Sequence, residues 1–160
     1  MEPLQIIEQI KHAFASVLYP GDDNIVPKTQ YDDETQITEA ELLGKRWNEL
    51  TLLVEDFSYG FSLSFLTPMA YHYYLPAFLI SSVELEEDAN IVSETIWSLT
   101  PPEESNNNGV FYSRMVLLTP EQHSAIAVFV GFFIENNPQK FRLKSGMRNL
   151  ERIKNFWLKN

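Results

Sequence analysis

Acid–base or metal chemistry in this 160-residue chain would have to begin at His12, His72, His123 or among its 22 Asp and Glu side chains. The three imidazoles lie far apart and form neither His-x-x-x-His nor His-x-Glu, so no zinc-ligand spacing is present. Cysteine is absent, which removes disulfides, thiolate metal sites and cysteine nucleophiles. Asp22, Asp23, Asp32, Asp33 and Glu34 lack the alternating Asp/Asn pattern with a central Gly and terminal Glu that builds a calcium loop. The six glycines form no phosphate loop, dinucleotide fingerprint or nucleophile elbow. No catalytic residue, metal or cofactor is therefore expected, and the residue pattern leans away from an enzyme.

Charge is the stronger signal. Residues 1–139 carry 21 acids against five Lys and Arg, whereas residues 140–160 carry seven bases against Glu151 alone. An acidic body with a basic tail implies association rather than catalysis. Direct binding of nucleic acid is disfavoured, because phosphate neutralisation needs basic charge that only the tail possesses. Apolar runs stop at ten residues, Ala125 to Ile134, short of the roughly 20 that cross a bilayer, so no membrane span is expected. Met1-Glu2-Pro3-Leu4 does not open a secretory signal, which points to the cytoplasm.

These side chains must be positioned by helices. Ile6, Ile7, Ile10, Phe14, Val17 and Leu18 predict an amphipathic helix from Pro3 to Tyr19, halted at Pro20-Gly21. Thr38-Glu39-Ala40-Glu41 reads as a capping box starting a short helix anchored by Leu42, Leu43 and Trp47, and Gly44 either ends or interrupts it. A weaker helix is expected over Leu50–Phe57. Leu66-Thr67-Pro68 and Leu118-Thr119-Pro120, 52 residues apart, each read as a helix opening, the second with Gln122 completing a capping box. Pro76 should kink or split the first of these near Tyr73, and the apolar run makes the second the central helix. Helices are also expected over Ala89–Leu99 and Ser145–Leu158. Phe57–Phe65 and Val110–Leu118, rich in aromatic and β-branched residues, could pair as a small ribbon. The fold expected is a mainly α single domain of five or six helices over residues 1–160, with the basic helix of 140–160 packed on the acidic body of 1–139.

Tyr71-His72-Tyr73-Tyr74-Leu75-Pro76-Ala77-Phe78 is the densest aromatic segment. It reads either as one buried helix face or as a recognition surface, since tyrosine joins contact area to a polar tip. Gly44-x-x-Trp47, Leu63-Ser64-Phe65-Leu66-Thr67-Pro68, the Tyr73-Tyr74-Leu75-Pro76-Ala77-Phe78-Leu79 block and Leu117-Leu118-Thr119-Pro120-Glu121-Gln122 together resemble an uncharacterised family of small bacterial proteins of unknown function. The resemblance spans about residues 5–135 and implies a bacterial, cytosolic, mostly helical domain, with no activity to carry over.

The leading functional expectation is a non-enzymatic acidic binding protein, most concretely an immunity protein that occludes a basic toxin domain such as a nuclease. Its contact residues would come from Asp22, Asp23, Asp32, Asp33, Glu34, the knot Glu84, Glu86, Glu87 and Asp88, and from Tyr71 and His72. Two alternatives stand beside it. One is a small enzyme or ligand-binding domain with a pocket under the Tyr71–Phe78 helix and His72 as acid–base group. The other is a structural subunit that homodimerises through the aromatic face. Oligomeric state is not legible from the sequence.

Overall fold

The computed structural model describes residues 1–50, 60–85, 90–106, 109–138 and 144–159. Seven α-helices cover most of them: α1 Pro3–Phe14, α2 Asp33–Leu42, α3 Pro68–Glu84, α4 Asn90–Leu99, α5 Val110–Met115, α6 Pro120–Asn136 and α7 Lys144–Trp157. Among the described residues there is no strand.

Helix α1 starts as expected, with Pro3 in its first turn and the Gln5 side chain accepting from Glu2 N at 3.1 Å. It buries Ile6, Ile7, Ile10 and Phe14 but ends five residues before the predicted Tyr19. The last turn tightens into three-residue closures, Ala15 N to His12 O and Val17 N to Phe14 O. Pro20 disfavours a helical Tyr19, which turns its hydroxyl toward Asp22 instead.

Helix α2 corrects the capping box placed at Thr38. Its cap is Asp32, whose Oδ1 accepts from Thr35 N at 2.9 Å and from Thr35 Oγ1 at 2.7 Å. Thr38 is fully buried in mid-helix, and its hydroxyl accepts from Ser62 N. An aspartate at the positive end of a helix dipole is as good a cap as threonine and adds charge stabilisation. Gly44, at φ +71°, provides the left-handed exit that ends the segment. Trp47 reaches the core from a separate short turn, Trp47–Glu49.

The predicted helix Leu50–Phe57 and the start of the Phe57–Phe65 strand lie outside the described residues. Leu63–Phe65 forms a 3₁₀ turn, and the proposed partner strand is helix α5, so the ribbon is overturned. Phe111, Arg114 and Met115 are the buried residues of α5, an i, i+3, i+4 set that only a helix places on one face. A strand would turn Arg114 away from Phe111 and Met115.

Helix α3 begins at the expected cap, Thr67 Oγ1 accepting from Ala70 N at 3.1 Å, and is continuous through Pro76, so of the two expected outcomes, a kink or a split, the split does not occur. Helices α1, α4, α5 and α6 all pack against it. A proline inside a helix forfeits one hydrogen bond and bends the chain, and neighbours on every side hold this one in register. Helix α3 is therefore the centre of the molecule, not α6. Buried residues occur all round it, from Ala70 and Tyr71 to Ser82, as expected of a helix without a solvent face. The apolar run of α6 leaves Ala127, Val128, Phe132 and Ile134 only partly buried.

Helix α7 lies on α6. Ile153 and Trp157 are buried, and Trp157 Nε1 donates to Leu99 O, the last residue of α4, at 2.8 Å. One ion pair ties α7 to the rest among the described residues, Arg152 Nη1 to Glu103 Oε1 at 2.9 Å. Docking of the basic helix is therefore mainly apolar.

Candidate functional site

The acids proposed as contacts fall partly on one surface. Tyr19 Oη donates to Asp22 Oδ1 at 2.7 Å and accepts from Gly44 N at 2.9 Å, which fixes the first acidic loop against the C-terminal end of α2. Asp23 lies close enough to Lys28 to act on its charge, and Lys28 pairs with Glu39 on α2. Asp33 and Glu34 are exposed in the first turn of α2, next to the capping Asp32. The 22–41 segment thus presents Asp22, Asp23, Asp32, Asp33, Glu34 and Glu41 with Lys28 as its single base. Leu18 is 85% exposed, and Tyr31 and Leu43 each 45%. Leu18 and Leu43 adjoin the two residues joined by the Tyr19–Gly44 bond.

Glu39 organises this surface from within. Burial pushes its carboxyl up, but hydrogen bonds from Lys28 and Tyr31 outweigh that and leave it below the ordinary glutamate value. A group depressed in the folded state contributes stability that is complete above the ordinary carboxylate value and vanishes as pH falls through the lower folded value. Thermal melts taken downward through the acid range should therefore show a steeper loss in the native chain than in Glu39→Gln. The variant should be the less stable of the two at neutral pH. Equal slopes would show that Glu39 carries no such linkage.

Glu84 sits apart. It closes α3, about 15 Å of helix beyond Tyr74, whose hydroxyl meets Leu42 O at 2.6 Å and Lys45 O at 2.9 Å at the far end of α2. Glu86, Glu87 and Asp88 lie outside the described residues.

Tyr71 lies in the interior, and His72 is only partly exposed. Tyr71 is fully buried; its hydroxyl bonds Ser98 Oγ at 2.9 Å, and its ring lies 4.5 Å beneath the Arg114 guanidinium. His72 Nε2 is 2.8 Å from Gln122 Oε1. Gln122 Nε2 donates to Ala13 O at 3.2 Å, and Oε1 accepts from Thr119 N at 3.0 Å. That orientation of the amide requires His72 to donate from Nε2. The imidazole thereby joins α3 to the cap of α6, and neither of the two cavities described below includes it. His12 is largely exposed, 3.4 Å from Glu121, and His123 packs 4.6 Å from the Trp157 ring. Among the described residues no three His, Asp or Glu side chains gather as metal ligands.

A cavity of about 660 Å³ lies between Lys11, Trp47, Ala77 and Glu84. A second, of about 450 Å³, is walled by Glu94, Trp97, Pro101, Phe111, Arg114 and Arg152 among others. Sequence reasoning missed this second one. Arg114 is 5% exposed, and its Nη2 donates to the carbonyls of Leu63 (3.2 Å), Ser64 (3.0 Å) and Leu66 (3.3 Å). Burial lowers its pKa, and no carboxylate among the described residues pairs with it. Its one visible trace in the sequence is a lone arginine inside a long acidic stretch.

No helix among the described residues is long and apolar enough to cross a membrane. No curated protein and no solved structure matches the chain. A family model does match, over residues 3–160, and on that extent the chain belongs to a family of unknown function, DUF6714.

Proposed function

We propose that this chain is a non-enzymatic binding protein whose α2 face engages a basic macromolecular partner, in the manner of an immunity protein that occludes a toxin domain such as a nuclease. One observation carries the reading. The acidic loop at Asp22 and Asp23 is fastened to α2 by Tyr19 and Lys28, and the resulting surface sets exposed Leu18, Tyr31 and Leu43 among acids. Acids steer a basic partner and raise the association rate, whereas the apolar side chains, once desolvated, slow dissociation.

The test is capture from lysate of the native host by the immobilised 160-residue chain, beside the triple variant Asp22→Lys, Asp33→Lys, Glu34→Lys. The expected result is a basic protein, released by salt and lost with the variant. For that purified protein the variant should slow association by at least about tenfold and flatten its salt dependence, as long-range steering requires. A captured protein that is acidic, or an association rate the triple variant leaves unchanged, would remove the proposal.

A further inference from the structure

The larger cavity, of about 660 Å³, opens between the end of α1, the Trp47–Glu49 turn and the last two turns of α3. Ala77, Ile80, Ser81 and Glu84 stand at the i, i+3, i+4 and i+7 positions of one α3 face, so that face forms a continuous wall. Two polar groups of the lining are unmet. Ser81 and Trp47 are each 7% exposed, yet neither the Ser81 hydroxyl nor the Trp47 indole N–H has a hydrogen-bond partner among the described residues. A hydroxyl inside a helix commonly turns back to a carbonyl of the preceding turn, as Thr95 does toward Ile91 O, and Ser81 does not. The unpartnered side-chain atoms that are closed to solvent are others, Ser82 Oγ, Arg114 Nε and Arg152 Nε. The Ser81 and Trp47 groups therefore stay open to the cavity that their residues line.

The charge of the lining is one-sided. Lys11 is committed to Glu8 at 2.9 Å, whereas Glu84 has neither an ion pair nor a hydrogen bond among the described residues. Glu84 is also the last residue of α3, no basic side chain stands in that last turn, and the C-terminal end of a helix is itself negative. We infer that the cavity binds a small organic ammonium with an apolar or aromatic body and an oxygen at its other end. Glu84 and Ser81, one turn apart on α3, receive the ammonium, which carries donors only and so matches a carboxylate and a free hydroxyl. Trp47 donates its N–H to the ligand's oxygen, and Leu50, Ala77, Ile80 and Leu85 supply apolar surface between the two ends. The volume lies in the range of small-molecule sites. An anionic ligand would meet Glu84 and the helix end as like charge.

Tyramine is the probe, with tyrosol, in which a hydroxyl replaces the ammonium, as its uncharged counterpart, both at neutral pH and fixed ionic strength. The readout is the indole N–H resonances of the ¹⁵N-labelled 160-residue chain, whose three tryptophans stand in different places. Tyramine should move the Trp47 signal saturably and leave that of Trp157, bonded to Leu99 O, where it is. Tyrosol should bind at least about tenfold more weakly. Glu84 is exposed, so Glu84→Gln keeps the fold, and it should lose about tenfold in tyramine affinity while leaving that of tyrosol unchanged. Ser81→Ala should weaken tyramine by a smaller factor. Absence of a saturable Trp47 shift, a response centred on Trp97 instead, tyrosol binding as tightly as tyramine, or undiminished tyramine affinity in Glu84→Gln would each overturn the assignment.

Discussion

Trp157→Ala is expected to cost about 3–5 kcal/mol of folding stability, the range for deleting a buried aromatic side chain. Trp157 is 2% exposed, holds α7 to the body beside Ile153, and satisfies the terminal carbonyl of α4 at Leu99. Natural domains are stable by only about 5–15 kcal/mol, so a loss of this size should lower the melting temperature by roughly 10 °C or more. Trp157→Phe keeps much of the packing and forfeits the indole N–H bond, so a loss of about 1–2 kcal/mol is expected. Because one ion pair accompanies this docking among the described residues, high salt should leave the difference between the two variants unchanged. A native-like melting temperature in Trp157→Ala would mean that α7 is not anchored through its indole.

Gln122→Leu is the second large effect, at about 3 kcal/mol. One amide side chain caps α6 at Thr119, binds the Ala13 carbonyl at the end of α1 and accepts from His72 on α3. Loss of a helix cap costs about 1 kcal/mol, and each buried group left without a partner costs about 1–3 kcal/mol. These losses share one site and do not add in full. Gln122→Glu separates the roles: it keeps acceptors for Thr119 N and His72 Nε2 but turns an oxygen toward the Ala13 carbonyl. It should therefore recover part of the loss, and thermal or denaturant unfolding of the three proteins would check the order. The same arrangement requires a proton on Nε2 of His72, which long-range ¹H–¹⁵N couplings would show. A proton on Nδ1 alone would contradict it.

What the sequence made legible was local. Thr67-Pro68 and Thr119-Pro120-Gln122 carry their start signals within four residues, and α3 and α6 begin where those signals lie. The start of α2 was missed for a local reason as well: Asp32 stands in a run of acids any of which could cap, and Thr38-x-x-Glu41 offered a better-looking decoy inside the helix. Val110–Leu118 was ambiguous because a short aromatic and β-branched run suits either a strand or a buried helix. What settled it was the reach of Arg114 to carbonyls 48 to 51 residues away, which leaves no pattern along the chain. The histidines and the cavity were hidden in the same way. His72 and Gln122 are 50 residues apart, and Arg114 and Arg152 meet in one wall only after α5 and α7 have folded. Composition did reveal the excess of acids, but not that Tyr19 and Lys28 would gather part of it on a single face.

Because α7 is seated by Ile153 and Trp157 rather than by its charges, Arg148, Lys154 and Lys159 stay in solvent. The centres of positive and negative charge therefore do not coincide, and the molecule carries a permanent electric dipole in addition to its net charge. In the field of any strongly charged body such an object experiences a torque before it experiences contact. It arrives already turned, and at low ionic strength, where that torque extends furthest, few encounters would be wasted on the wrong side.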